Sequence, residues 1–170
     1  AASTGGAVTI ATADGAISVS GIDVSGGVGT SSQDGGDAGS LSITEGGANA
    51  ITLTGNIVAD GGAGDTTGGA GSTVQFNDAV ELSGGDIAIS TTGDTAGNIV
   101  FNDVLDSASG ETNGLTLTAG GGSITFGGLV GDTDALGALQ INSALNVTST
   151  TISAGSLTQV AGTGGTNLGG

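Results

Sequence analysis

The sequence has no Lys, Arg or His, and no Cys, Pro, Met, Trp or Tyr. Each absence excludes something. Without cationic side chains the chain cannot neutralise phosphate, so nucleic acid is excluded as a partner. An anionic membrane surface is excluded for the same reason, and no salt bridge can form between side chains. Without cysteine there is no disulfide. No apolar run approaches the ~18 residues that would insert into a membrane. The strong helix formers Lys and Arg are missing and Gln and Glu are rare, so almost no helix is expected. Sugar-binding sites built on Trp or Tyr platforms are also unavailable.

What is present is equally skewed. The 170 residues include 38 Gly and 16 acids, giving a formal net charge of −16. Hydrophobic residues make up 36% of the chain, too many for a chain kept disordered by polarity alone. They are mostly Val, Ile, Leu and Ala, interleaved with Thr and Ser, the palette of short strands with Gly, Asp and Asn turns. The chain opens on Ala1 and shows no signal peptide, so it is expected to be a mature or excised piece of a larger protein.

The three Phe set a period. Val74-Gln-Phe76-Asn-Asp, Ile99-Val-Phe101-Asn-Asp and Ile124-Thr-Phe126-Gly-Gly follow one another at 25-residue spacing. A repeat in the range of ~20–50 residues marks a solenoid, in which each repeat is one winding. Alternating apolar and polar residues place three short strands in each of about six windings. Ile10, Ile43, Phe76, Phe101, Phe126 and Val147 are the expected inward column, at spacings of 33, 33, 25, 25 and 21. The surplus length falls in Gly- and Asp-rich stretches at 26–39, 60–71 and 106–114, read as flexible, insertion-tolerant loops. The expected fold is all-β: a right-handed parallel β-helix forming a single segment over 1–170, with an antiparallel β-sandwich as the alternative. Asn77 and Asn102 occupy equivalent places after their Phe. They are either a hydrogen-bonded ladder along the axis or ordinary turn residues.

Several runs have the style of a known repeat. Gly97-Asn-Ile-Val-Phe-Asn-Asp, Leu115-Thr-Leu-Thr-Ala-Gly, Ser123-Ile-Thr-Phe-Gly-Gly and Ala135-Leu-Gly-Ala-Leu-Gln-Ile-Asn resemble repeats of filamentous-haemagglutinin-like and autotransporter-like adhesins. The resemblance is clearest over about residues 70–160. It implies a right-handed parallel β-helix, export to the cell exterior, and a role as stalk, adhesin or matrix component. It carries no catalytic residues to transfer.

Chemistry-bearing constellations are few. Asp34, Asp37, Asp60, Asp65, Asp132 and Asp134 lie on Gly- or Thr-rich turns whose oxygens could serve weak Ca²⁺ sites; no other cofactor is expected. The competing reading is that these carboxylates are solvated. Asp78 and Asp103 recur on neighbouring windings and could form the carboxylate pair of a glycosidase. Against this stands a turn corner facing water, so no enzyme is expected. Thr52-Leu-Thr54 and Thr116-Leu-Thr118 fall on different strands of the winding and do not build one ice-ordering face. Open ends of a β-helix leave backbone groups unpaired, so further windings or end-to-end self-association are expected. The expected role is a non-enzymatic segment of an extracellular or cell-surface fibre. A surface glycan or host receptor is a possible ligand. The alternatives are a sandwich subunit polymerised by strand donation and a carbohydrate-binding module.

Overall fold

The computed structural model describes residues 2–169. The first winding holds β1 (Val8–Thr12), β2 (Ile17–Val19) and β3 (Ile22–Asp23), and the second β4 (Leu41–Glu45), β5 (Ile51–Leu53) and β6 (Ile57–Val58). The third is β7 (Val74–Phe76), β8 (Val80–Leu82) and β9 (Ile87–Ser90), the fourth β10 (Ile99–Phe101), β11 (Leu105–Ser107) and β12 (Leu115–Thr118). The fifth has β13 (Ile124–Phe126) and β14 (Leu136–Ser143), and the sixth β15 (Val147–Ser149) and β16 (Ala154–Gln159); β17 (Thr166–Leu168) follows.

These strands make three parallel sheets. One runs β1-β4-β7-β10-β13-β15-β17, a second β2-β5-β8-β11, and a third β3-β6-β9-β12-β14-β16. Single bridges from Leu105 to Val130 and from Val130 to Ile152 carry the second sheet through the last two windings. Every strand pair is parallel, which overturns the antiparallel sandwich and leaves the parallel β-helix. Alternation turns every second residue inward, and stacking in register sets like on like.

The Phe column is continuous. Ile10 pairs with Ile43, Ile43 with Phe76, Phe76 with Phe101, and Phe101 with Phe126. The rings stack with centroids 4.9 Å and 5.4 Å apart and planes within 13° and 7°. Ile10 is only partly buried, because it lies in the first winding. The last member of the expected column needs correction. Val147 pairs with Ile124, so it belongs to the neighbouring column of Val8, Leu41, Val74 and Ile99. The place beneath Phe126 falls to Ser149, and the winding there is 23 residues long rather than 21.

Of the three stretches read as loops, the third begins inside a strand, and the first two are more ordered than a flexible loop. Asp106 and Ser107 are strand residues of β11. Stretches 26–39 and 60–71 contain no strand, yet their backbones are densely paired. Gly35 N, Ala38 N and Leu41 N donate to Thr67 O, Ala70 O and Thr73 O, a step of three residues on both sides (3.0, 2.8 and 3.0 Å). Gly26 N and Gly29 N donate to Asp60 O and Ala63 O with the same step (2.9 and 2.7 Å). Within a winding the segments run antiparallel: Gly36 N to Gly27 O and Gly39 N to Val24 O (both 2.8 Å), then Gly69 N to Gly62 O and Ser72 N to Ala59 O (2.8 and 3.0 Å). Three residues per turn is the period of the polyproline II helix. The segments therefore form a flank of extended threefold helices, cross-linked through their backbones.

Glycine makes this flank possible by having no side chain. A Cβ on Gly69 would run into Gly36 O, one on Gly35 into Gly62 O, and one on Gly36 into Ser3 O, all far inside van der Waals contact. None of these glycines has positive φ; that conformation occurs at Gly21, Gly84, Gly85, Gly110, Gly120 and Gly131. The requirement in the flank is close approach, not an unusual turn.

Candidate functional site

The acidic side chains are dispersed, and most are engaged with the adjacent winding. Asp34 accepts from the Thr66 hydroxyl. Asp37 accepts from Ala70 N at 2.8 Å. Asp60 accepts from Ser90 Oγ and Thr92 N, both at 2.6 Å. Asp65 accepts from Ser32 N at 2.7 Å, where Ser31 and Ser32 adopt positive φ. Asp132 is exposed, and Asp134 takes part through its carbonyl, which accepts from Ser107 N at 3.0 Å. Among the described residues no three acidic side chains gather into a group able to hold a metal ion. The six Ca²⁺ candidates are thus not brought together. Thr66 and Thr67 hold the Asp34 carboxyl below its ordinary value by hydrogen bonding.

Asp78 and Asp103 do not form a pair either. Asp78 Oδ2 accepts from Glu45 N at 2.8 Å, and Asp103 Oδ1 accepts from Val104 N at 2.8 Å. Asp78 thus ties its winding to the preceding one, and only Asp103 closes a local turn. Asn77 and Asn102 are a ladder: Asn102 Nδ2 donates to Asn77 Oδ1 at 3.0 Å, and Asn77 Nδ2 donates onward to Thr44 Oγ1 at 2.9 Å. Thr52 stacks on Glu81, and Thr116 between Ala88 and Gln140, so the Thr-x-Thr pairs stand on separate sheets with mixed neighbours.

Two buried polar groups carried no signal that the repeat pattern could reveal. Glu45 is fully buried at the end of β4. Its Oε1 accepts from Gly15 N at 2.9 Å, and its Oε2 accepts from Gly47 N and Asn49 N at 3.1 Å. The Gly15 N–H is the main cause that holds this carboxyl below its ordinary value; burial opposes it, and Asn49 and Gly47 add to it. A carboxylate with every lobe occupied by protein donors is a structural plug. Ser149, 6% exposed, is the opposite case: its Oγ has no partner, although it sits in the Phe column. Ser107 also replaces an aliphatic residue at an inward place, but its Oγ accepts from Asn113 N at 3.0 Å.

In the last described winding, inward-column residues are left uncovered. Leu157 pairs with Leu139 and Leu168 with Ser149, so both occupy inward columns, yet they are 40% and 46% exposed. Val160 beside them is 66% exposed. Gln159, Val160, Ala161, Gly162, Gly164 and Thr166 line a dish of about 230 Å³. This end carries no charged side chain: the last acid is Asp134.

No family model, no curated protein and no solved structure matches the chain.

Proposed function

We propose that the chain is a non-enzymatic structural or adhesive segment of an exported bacterial surface fibre, stalk or matrix protein. The observation that carries this reading is the open stack. Among the described residues, β1 pairs only with β4 and β16 only with β14, so each presents a free edge to a further winding or a second molecule. Parallel windings added at such edges lengthen one rod without a new interface. The dispersed, individually engaged carboxylates favour a scaffold over a reaction centre. The high acidic charge suits an exposed extracellular surface that resists nonspecific adhesion.

Negative-stain electron microscopy of the purified chain tests this reading. The expected images show stiff rods of constant width whose length grows with protein concentration. Compact particles of a single size at every concentration would contradict it.

A further inference from the structure

From the placement of charge on the three sheets, we infer that the outward face of the first sheet, from β1 to β15, is a lateral docking surface for the same face of a second copy. The inference goes beyond the reading above: it concerns the side of the stack and holds whether or not windings are added at its ends. Thr9, Ser42, Gln75, Val100, Thr125 and Thr148 stack in register as the central outward row of this sheet. None is charged. The only acid in its strands is Glu45, which is buried in its donor cage. The other two sheets turn carboxylates outward: Glu81 stacks on Asp106 in the second, and Asp23 stands in the third. The flank exposes Asp34, Asp37 and Asp65. The molecule carries a formal charge of −16 and no cationic side chain. Two copies brought side by side through the second sheet, the third sheet or the flank therefore set carboxylate against carboxylate. Contact through the first sheet does not.

The face is also prepared for covering, because its amides bond to one another. Gln75 Nε2 donates to Asn77 Oδ1 at 2.6 Å, Asn77 Nδ2 to Thr44 Oγ1 at 2.9 Å, and Asn102 Nδ2 to Asn77 Oδ1 at 3.0 Å. These bonds survive when the face is covered, which lowers the cost of desolvation. The same strands carry Phe76, Phe101 and Phe126 inward, so a packed core holds the outward row and little freedom is lost on docking. Val100 is the one aliphatic side chain in the row, half-buried between Gln75 and Thr125. It marks the centre of the contact, where a two-fold axis sets Val100 of one copy against Val100 of the other.

The contact is small and grows with length. One winding contributes about 50 Å² per copy, from a strand spacing of ~4.8 Å and a three-residue width of ~10 Å. The six windings therefore offer about 300 Å² per copy, against ~800 Å² in a stable interface. A pair of these chains exchanges rapidly. A longer stack holds its neighbour more tightly, because each winding adds to one continuous contact. Asp78 and Asp103 stand at the corner beside the face, between the first and second sheets, so added salt strengthens the contact by screening them.

The test compares two valines of the 170-residue chain. Val100 and Val58 both face outward and are half-buried, but Val58 lies on the third sheet, where it stacks on Asp23. Because the chain lacks cysteine, Val100→Cys and Val58→Cys each carry a single thiol for a short bismaleimide. The Val100→Cys chain should form covalent dimers about tenfold faster or more, because docking raises the effective concentration of the facing thiols. Thr125→Cys, one winding along the same row, should also dimerise faster than Val58→Cys, which guards against a local effect at position 100. In sedimentation equilibrium at high protein concentration, Val100→Asp should lower the association constant about tenfold or more by setting like charges in contact. Val58→Asp should leave it unchanged. Circular dichroism checks that each variant keeps its fold. Equal dimerisation of Val100→Cys and Val58→Cys, or an association constant unmoved by Val100→Asp, overturns the inference. Rods of single width seen together with equal rates remove the lateral contact and leave the fibre reading intact. Compact particles seen together with fast Val100→Cys dimerisation do the reverse.

Discussion

In the windings from β7 to β15 the chain buries side chains; in the flank of residues 24–39 and 59–72 it buries backbone. The first region is ordered by size. Phe76, Phe101 and Phe126 fill a column whose neighbours are Val, Ile and Leu, all essentially inaccessible to water. The second is ordered by absence of size. Gly36, Gly62 and Gly69 are buried, and their peptide groups pair at 2.8–2.9 Å because no Cβ holds the chains apart. Hydrophobic transfer dominates one region, at about 1.5–3 kcal/mol per fully buried large side chain. Satisfied peptide hydrogen bonds dominate the other, each worth about 1 kcal/mol net but costly to leave unmade. The lesson is that one winding can use both, changing from pleated strand to threefold helix within a few residues.

Substitutions can break the two regions separately. The largest effect is expected from Phe101→Asp, which places an unpaired carboxylate among aliphatics in a chain with no cationic side chain. A loss on the order of 5 kcal/mol or more should abolish the β-sheet circular dichroism of the middle windings. An unchanged melting temperature would show that the column is not a core. Next in size, Gly36→Ala should cost about 2–3 kcal/mol through overpacking against Ser3 O. The damage should stay in the flank, visible as faster amide exchange at 26–39 and 60–71 with β10 and β13 still protected. Gly6→Ala is the matched control, since a Cβ there meets nothing within 4 Å. It should leave stability unchanged or raise it by up to about 1 kcal/mol.

The register of the repeat was legible because Phe is rare and each Phe is followed by a turn; three identical landmarks fix a period. It slipped at Val147 because the column loses its large residue there and Ser149, a small polar residue, takes the place. Periodicity alone prefers the nearest Val. The flank was illegible for a different reason. Gly and Asp read as flexible turn formers, and nothing in composition distinguishes a glycine needed for φ > 0 from one needed for close approach. Gly84 and Gly69 look alike as letters, but only Gly84 has a left-handed φ, and only Gly69 has a carbonyl where its Cβ would be. The Ca²⁺ candidates have a structural role that composition does not show either. Asp37 and Asp60 repeat on the turns because they bond the Ala70 and Thr92 amides of the next winding.

Smaller effects sharpen the contrast at its boundary. Ser149→Ala removes the one buried hydroxyl found without a partner among the described residues and should raise stability by about 1 kcal/mol. Ser107→Ala, whose hydroxyl is bonded by Asn113, should lower it by a similar amount. Thermal melts of the pair decide whether inward polarity is tolerated only when satisfied. The pH dependence of Glu45 is smaller still. Its carboxyl is held below the ordinary value of 4.5, so its contribution is fully present above that pH and disappears as pH falls through the lowered folded value. The difference in melting temperature between the parent and Glu45→Gln should therefore be constant from pH 5.5 to 7, about a unit or more above the ordinary glutamate range. It should shrink on further acidification. A difference that grows in acid would contradict the donor cage.

Residue-resolved hydrogen exchange measures the central claim most directly, because it reads the flank and the Phe column in one experiment. The amides of Gly36, Gly62 and Gly69 should be protected to the same order as those of Phe101 and Phe126. Exchange of these glycines at the rate of an unstructured chain, with the Phe strands still protected, would show that 26–39 and 60–71 are loops after all and that only one kind of packing holds the fold.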